Sequence, residues 1–204
     1  MVIASTAVER NASHMKPIVL YGSSRRQGNS ELLADRVLDG IPHTKRYLMD
    51  LKIQPIVDQR HSPAGFADVD DDYDALIQEV LAHDALVLVT PLYWYGMSGL
   101  MKNFVDRWSQ SLRQPGLGFR ERMQAIPGYV VIAGGDHPHE KAKPLVQQFQ
   151  LIFDFMGMSL DGWVIGEGNR PGDVLADEAA LRSAAALNQR LRQRSAGPGP
   201  TANA

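Results

Sequence analysis

Short apolar runs alternate with longer amphipathic segments, and this alternation restricts the fold more than any other feature of the chain. Five runs have the length of a strand, at residues 17–21, 44–51, 85–90, 129–133 and 160–165. The third run, ALVLVT, is apolar almost throughout, which is typical of a parallel strand buried on both faces. Segments with helical spacing lie between and after the runs, at residues 29–38, 71–81, 98–112, 144–156 and 176–194. The pattern predicts an α/β fold, a three-layer doubly wound domain with a five-stranded parallel sheet.

The chain has 204 residues, which suits one compact domain with a sizeable core. We expect the folded domain to span residues 16–194. Residues 1–15 do not have the cationic start and apolar run of a signal peptide. They are expected to be an unpacked leader, either native or left by cloning, because His14-Met15 matches a common cloning junction. Residues 195–204 are rich in Gly, Pro and small residues, which predicts a flexible tail.

Charge and cysteine content exclude several classes of function. Lys and Arg total 21 against 23 Asp and Glu, so no general attraction to nucleic acid or to an anionic membrane is expected. No apolar run approaches the ~20 residues of a membrane-spanning helix. The absence of cysteine excludes disulfides, thiolate-bound zinc, iron–sulfur clusters and cysteine nucleophiles. We therefore expect a cytoplasmic protein whose chemistry depends on other groups.

The turn after the first strand is the first part of the candidate site, because doubly wound sheets bind ligands beyond the carboxyl ends of their strands. Residues 22–30 have the sequence GSSRRQGNS. Hydroxyls, guanidinium groups and the amides of a helix N-terminus together suit a phosphate monoester. The alternative is a simple capping turn, with Asn29 or Ser30 as the N-cap and the arginines in solvent. Neither GxGxxG nor GxxxxGK[ST] is present, so the dinucleotide and Walker fingerprints do not apply.

The turns after the third and fourth strands complete the candidate site. Residues 91–99, PLYWYGMSG, place three adjacent aromatic residues after the most apolar strand. Three adjacent rings cannot all face one core, so at least one should be available to a planar ligand, unless the cluster forms a lid or a subunit interface. Ser98 is a candidate cap for the next helix. The turn Gly134-Gly135-Asp136 permits close approach of a flat heterocycle, and an ordinary flexible connection is the alternative.

Three motifs, GSSRRQGNS, TPLYWYGMSGLMKNFVDRW and the AGG that ends the fourth strand, resemble those of the flavodoxin-like NAD(P)H-dependent FMN reductase family, which includes quinone reductases. The resemblance spans residues 17–166. It implies a flavodoxin-like fold with strand order 2-1-3-4-5, FMN as the cofactor and NADPH or NADH as the hydride donor. It also implies a small-molecule electron acceptor, such as a quinone. Family members are homodimers or homotetramers with the flavin near a subunit interface, which would bring residues 93–95 near a partner chain.

The resemblance also implies which residues contact FMN. The phosphate would be held by Ser23, Arg25, Gly28, Asn29 and Ser30. The edge of the isoalloxazine would be lined by Pro91, Leu92, Tyr93, Trp94, Tyr95 and Gly96. The other side of the ring would be closed by Gly134, Gly135 and Asp136. No catalytic acid or base is implied because the cofactor carries the chemistry, although Tyr93 or Tyr95 is a candidate proton donor to a reduced quinone.

One branch of the family holds an iron–sulfur cluster in the loop after the second strand, and this chain departs from that branch. Residues 50–55 retain the lead-in Asp-Leu-x-Ile-x-Pro, but residues 53–60 contain no cysteine. The resemblance therefore implies a flavin-only reductase that passes electrons to a diffusible acceptor.

Two other functions fit parts of the sequence. A flavodoxin-type electron carrier would share the fold and FMN, but such carriers tend to be strongly acidic and this chain has a net charge of -2. A metal hydrolase would use the segment Asp136-His137-Pro138-His139-Glu140, but the proline restricts its geometry and no distant cluster completes a ligand shell. The motifs do not separate NADH from NADPH.

Overall fold

A five-stranded parallel sheet organises the computed structural model, which describes residues 15–195. Its strands are β1 Pro17–Tyr21, β2 Thr44–Tyr47, β3 Ala85–Pro91, β4 Gly128–Gly134 and β5 Leu160–Glu167. The strand order is β2-β1-β3-β4-β5 and every neighbouring pair is parallel. The predicted α/β fold and strand order are confirmed. The predicted leader, apart from Met15, and the predicted tail, apart from Ser195, lie outside the described residues.

Helices cover both faces of the sheet. They are α1 Asn29–Val37, α2 Tyr73–Val80, α3 Gly99–Asp106, α4 Trp108–Ser111, α5 Phe119–Gln124, α6 Pro138–Lys141, α7 Lys143–Met156 and α8 Glu178–Ser195. Successive strand residues point to opposite faces. Val87 therefore packs in the core under α1 and α8, whereas Leu88 packs in the core formed with α2, α3 and α7. No helix among residues 15–195 is long and apolar enough to cross a bilayer.

Two predicted elements are shorter than the sequence pattern suggests. The predicted strand 44–51 ends at Tyr47, and a 3-10 helix follows at Leu48–Asp50, which buries Leu48 in the core. The predicted helix 98–112 divides into α3 and α4 at Arg107, where the backbone bonds to Asn103 and Ser111 lengthen to 3.3 Å. The apolar spacing alone marks neither the end of the strand at Tyr47 nor the break at Arg107.

Short helices account for the elements that the sequence did not predict. The helix α5 spans six residues and α6 only four, too few for a hydrophobic period to stand out. Pro138 occupies the first turn of α6, where its fixed φ and missing N–H are tolerated. The segment considered for a metal site is therefore the start of a helix.

A buried ion pair fixes the base of the long loop that connects the 3-10 helix at Leu48–Asp50 to α2. Arg107 and Asp71 side chains are each 1% exposed and lie 2.6 Å apart. Arg107 also donates to the carbonyl of Gln54 at 3.1 Å and to the amide oxygen of Gln110 at 2.8 Å. Burial raises the pKa of Asp71, but hydrogen bonds from Arg107, Gln54 and Tyr73 outweigh burial and hold that pKa below its usual value. The long loop is thus joined to the core by a buried ion pair, and loss of either partner would destabilise the fold because the other charge would stay buried without a partner.

Candidate functional site

A cleft of about 180 Å³ opens at the carboxyl ends of β1, β3 and β4, and the loop after β5 forms its remaining wall. It is lined by Ser23, Arg25, Gly28, Asn29, Ser30, Pro91, Leu92, Tyr93, Ala133, Gly134, Gly135, Gly168 and Asn169. Most of the predicted site residues therefore lie together. The other predicted site residues, Trp94, Tyr95, Gly96 and Asp136, are not part of this lining.

The turn after β1 leaves helix amides available to the cleft. Gly28 is the N-cap of α1 in an extended conformation, and no side chain caps the helix. The first amides of a helix have no partner within the helix, so those of Asn29 and Ser30 are open to an anion. The alternative reading, in which Asn29 or Ser30 is the capping residue, is wrong. Ser23 accepts a hydrogen bond from the backbone N–H of Arg25 at 3.1 Å, which shapes the turn.

The two adjacent arginines of this turn have different partners. Arg26 forms an ion pair with Asp50, and its guanidinium lies 4.0 Å above the ring centre of Tyr47. Arg25 lines the cleft and forms no ion pair with any residue of the range 15–195. Its Nε would lie 3.6 Å from a Cβ built on Gly28, so the guanidinium folds across the turn toward the helix N-terminus. Arg25 is therefore the cation that the cleft offers to an anionic group.

Glu31 is buried beside the same turn but is not part of the cleft lining. Its carboxylate accepts the backbone N–H of Gln27 at 2.6 Å and the hydroxyl of Tyr47 at 2.6 Å. Burial and this carboxylate raise the pKa of Tyr47 to about 12. The two bonds fix Gln27 in its left-handed conformation, with φ of 53°. Glu31 thus shapes the turn without placing its charge against the cleft.

Asn29 joins the first turn to the loop after β5. Its side-chain amide donates to the carbonyl of Arg170 at 2.9 Å and accepts the N–H of Gly172 at 2.9 Å. The side chain therefore ties the first turn to this loop, while the backbone N–H of Asn29 lies at the helix N-terminus that faces the cleft. This loop contributes Gly168 and Asn169 to the cleft, which the sequence reasoning missed. The sequence feature that could have indicated Gly168 and Asn169 is the polar, glycine-containing segment after the fifth strand, which ends at the same edge of the sheet.

The aromatic residues after β3 form a two-residue hairpin. The backbone N–H groups of Tyr93 and Gly96 each bond to the carbonyl of the other, at 3.0 and 2.9 Å. Trp94 and Tyr95 between them have φ of 48° and 62°, the combination of a type I′ turn. Tyr93 is 48%, Trp94 97% and Tyr95 49% exposed, so all three residues are accessible, where the sequence predicted at least one.

Ser98 connects the first and second turns. Its hydroxyl donates to the carbonyl of Gly22 at 2.5 Å and accepts the N–H of Met101 at 3.1 Å, which caps α3 as predicted. Its backbone N–H bonds to the hydroxyl of Thr90 at 3.0 Å. One buried serine thus fixes the relative position of two walls of the cleft.

Two glycines keep the third turn close to its neighbours. A Cβ on Gly134 would lie 2.9 Å from the side chain of Leu92, and one on Gly135 would lie 3.0 Å from Asn169. A side chain at Gly134 would force Leu92 to shift, and one at Gly135 would press Asn169 away by a few tenths of an ångström. The glycines therefore allow the turns after β3, β4 and β5 to meet at the cleft.

The remainder of the third turn is polar. Asp136 accepts hydrogen bonds from the Tyr95 hydroxyl at 2.8 Å and from Lys141 Nζ at 2.6 Å. The bonds from Lys141 and Tyr95 hold the pKa of Asp136 below its usual value. His139 instead pairs with Asp177 at 2.7 Å. Within residues 15–195, no group of three or more His, Cys, Asp and Glu side chains could hold a metal ion, which disfavours the hydrolase reading.

Backbone strain marks the same three turns. Among residues 15–195, the non-glycine residues with positive φ are Gln27, Trp94, Tyr95 and His137, and they lie in the turns after β1, β3 and β4. Such a conformation costs on the order of 1 kcal/mol or more per residue. Strain of this kind persists where surrounding contacts enforce it, and it clusters at ligand sites. The strain and the cleft therefore indicate the same site independently.

Comparisons with known proteins agree with this geometry. The chain matches the family of NADPH-dependent FMN reductases over residues 15–169. YwqN of Bacillus subtilis, named as an NAD(P)H-dependent FMN-containing oxidoreductase, is 48% identical over 177 residues, which cover 86% of this chain and 98% of YwqN. An FMN-dependent NADH:quinone oxidoreductase of Dechloromonas aromatica is 27% identical over 200 residues, covering 86% of this chain and 98% of that protein. The solved structure of the Trp repressor binding protein from Bacillus subtilis is similar with a TM-score of 0.71 and 42% identity, covering 84% of this chain and 96% of that one.

Proposed function

Because this chain belongs to the NADPH-dependent FMN reductase family and is an FMN-dependent oxidoreductase, we propose that it passes electrons from NADPH or NADH through FMN to a quinone or a similar small acceptor. Bound FMN supplies the redox chemistry, since the flavin accepts a hydride and returns two electrons. The protein supplies binding, orientation and electrostatics.

The change in polarity along the cleft carries this proposal. One end presents the hydroxyls of Ser23 and Ser30, the Arg25 guanidinium and the first amides of α1. Together these donors suit a phosphate dianion, which the positive end of the helix dipole also favours. The other end is formed by Pro91, Leu92 and Tyr93 and by the Gly134-Gly135 backbone. The apolar side chains can pack against a flat ring, and the two glycines have no side chain that would obstruct it. The residues present therefore fit FMN.

The described residues that line the cleft include no His, Asp, Glu or Lys. The lining itself therefore supplies no carboxylate or imidazole for general acid–base catalysis. We assign the lining a binding and positioning role: the β1 turn anchors the phosphate, and the β3 and β4 turns orient the ring and exclude water from its edge. Tyr93 is the tyrosine within the lining. Tyr95 lies outside the lining, and its hydroxyl donates a hydrogen bond to Asp136.

We also propose that the protein forms a homodimer or a homotetramer, and an apolar groove on its surface supports this proposal. The groove has a volume of about 390 Å³ and lies between α3, α4 and α7. Leu151 and Phe155 line it, and each is 64% exposed. Large exposed apolar side chains in one groove are typical of a protein contact surface. We also expect the protein to act in the cytoplasm, where reduced nicotinamide is available.

The proposal is tested with purified protein loaded with FMN. We expect the visible flavin absorbance to bleach when NADH or NADPH is added anaerobically, and to return when benzoquinone is added. Steady-state oxidation of NAD(P)H with benzoquinone then separates an enzyme from a flavodoxin-type carrier, which would bind FMN but turn over negligibly. A protein that fails to bind FMN, or that binds it and is not reduced by either nicotinamide, would refute the proposal.

A further inference from the structure

Three side chains join the aromatic hairpin to the turn after β4. One carboxylate oxygen of Asp136 accepts both the Tyr95 hydroxyl, at 2.8 Å, and Lys141 Nζ, at 2.6 Å. Lys141 Nζ also lies 5.7 Å from the centre of the Tyr95 ring. Each member therefore contacts both others, and we name the trio the rim clasp. None of the three lies in the lining of the cleft, although sequence resemblance implies that Tyr95 and Asp136 contact FMN.

The rim clasp connects two strained turns. Trp94 and Tyr95 on one side, and His137 on the other, have φ of 48°, 62° and 47°. Bulky side chains adopt this conformation only where other contacts enforce it. The hairpin bonds of Tyr93 and Gly96 fix the shape of the first turn, and the bond from Leu92 N–H to the Ala133 carbonyl, at 2.7 Å, ties its base to β4. The rim clasp adds a side-chain constraint at the tip of the hairpin.

The members of the rim clasp are exposed, so global stability depends little on them. The side chains of Lys141 and Asp136 are 43% and 54% exposed, and Tyr95 is 49% exposed. Exposed ion pairs contribute little to folding because solvent screens them. Loss of the clasp should therefore change the local position of the hairpin without unfolding the chain.

We propose that Asp136 is a positioning residue: its carboxylate holds the Tyr93–Gly96 hairpin against the β4 turn, so that the aromatic rings form a fixed wall at the mouth of the cleft. The occupant of that mouth is the flat ring of the nicotinamide or of the electron acceptor, because exposed aromatic faces bind planar rings by stacking. Asp136 acts through Tyr95 and does not touch the flavin. This inference rests on the proposed function only for the identity of the flat ring.

The first test measures the hairpin directly and needs no turnover. Holoenzyme is labelled by millisecond quench-flow hydrogen exchange, and the hairpin peptide is followed by mass spectrometry. Asp136→Ala and Tyr95→Phe should speed exchange at the amide of Leu92, whose bond to the Ala133 carbonyl joins the hairpin to β4, whereas Asp136→Glu should restore part of the protection. Glu140→Gln is the control, because it breaks an exposed ion pair with Lys143 on the neighbouring turn that does not contact the hairpin.

The second test separates ring stacking from flavin binding. In anaerobic single-turnover reduction, Asp136→Ala should raise the apparent Kd for NADH or NADPH by about twofold to fivefold, the range expected for one exposed ion pair and hydrogen bond. The Kd for FMN should stay within about twofold of wild type, since the phosphate turn is untouched. Glu140→Gln should match wild type in both quantities.

The outcomes distinguish the two proposals. Unchanged exchange in Asp136→Ala would overturn the positioning role whether or not the enzyme turns over. Faster exchange with an unchanged nicotinamide Kd and an unchanged KM for benzoquinone would overturn the stacking role of the hairpin. If wild type is not reduced by NADH or NADPH, the proposed function fails, and the exchange result alone then decides the role of the clasp.

Discussion

Replacing Arg25 by alanine should weaken FMN binding while replacing Arg26 should not, although the two residues are adjacent. Arg25 lines the cleft without an ion-pair partner among residues 15–195, whereas Arg26 is paired with Asp50 and stacked on Tyr47. A hydrogen bond to a charged group contributes about 1.5–3 kcal/mol. Because Arg25 is exposed, solvent screening reduces this to about 1–2 kcal/mol. The expected loss is a factor of about 5 to 30 in Kd.

Riboflavin provides the control that isolates the phosphate. It carries the same ring as FMN without the phosphate, so its affinity should be the same for Arg25→Ala and wild type within about twofold. The assay is titration of the apoprotein with each flavin, followed by quenching of flavin fluorescence. The FMN difference should also shrink below pH ~6, where the phosphate of free FMN gains a proton. Equal losses in Arg25→Ala and Arg26→Ala, or an equal loss of riboflavin binding, would refute the assignment.

Three further predictions concern stability and assembly. Arg107→Met should lower the free energy of unfolding in urea by about 3–5 kcal/mol, because it leaves the carboxylate of Asp71 buried without its partner; a loss below ~1 kcal/mol would contradict this. Since the folded pKa of Asp71 is held below the ordinary carboxyl value near ~4, its stabilisation is present above that value and is lost as pH falls through the folded pKa. Wild type should accordingly lose more stability between about pH 4 and 2 than Asp71→Asn does, and parallel losses would count against the pair. Phe155→Glu should reduce the sedimentation mass toward that of a monomer, and an unchanged mass would place the subunit contact on another face.

The pattern of apolar runs along the chain was sufficient to predict the α/β architecture. The run ALVLVT predicted a strand buried on both faces, and β3 lies at the centre of the sheet with every residue of that run buried. The parallel sheet in turn placed the turns after β1, β3 and β4 at one edge, where the cleft lies. The resemblance to a family then supplied FMN, which residue spacing alone did not identify.

Tertiary contacts decided the rest of the site. The composition of the first turn did not separate Arg25 from Arg26, and only the resemblance selected Arg25; the structural difference between them is the partner of Arg26 at Asp50 in another element. The resemblance implies that Asn29 holds the phosphate, and the tertiary structure adds that its side chain bonds to the loop that brings Gly168 to the cleft. Both facts depend on residues far apart in the chain.

The sequence by itself determined the α/β architecture, the location of the candidate site and the absence of thiolate chemistry, because periodicity, turn composition and cysteine content are local properties. Only the tertiary structure decided which side chains in those turns are free to bind a ligand and which hold the turns together. Asp136 shows the difference: its place after Gly134-Gly135 makes it a candidate ligand, and only the structure shows that one of its carboxylate oxygens bonds to Tyr95 and Lys141. The physical reason is that a polar side chain bonds to whatever the fold brings within about 3 Å, and chain spacing does not encode that neighbour.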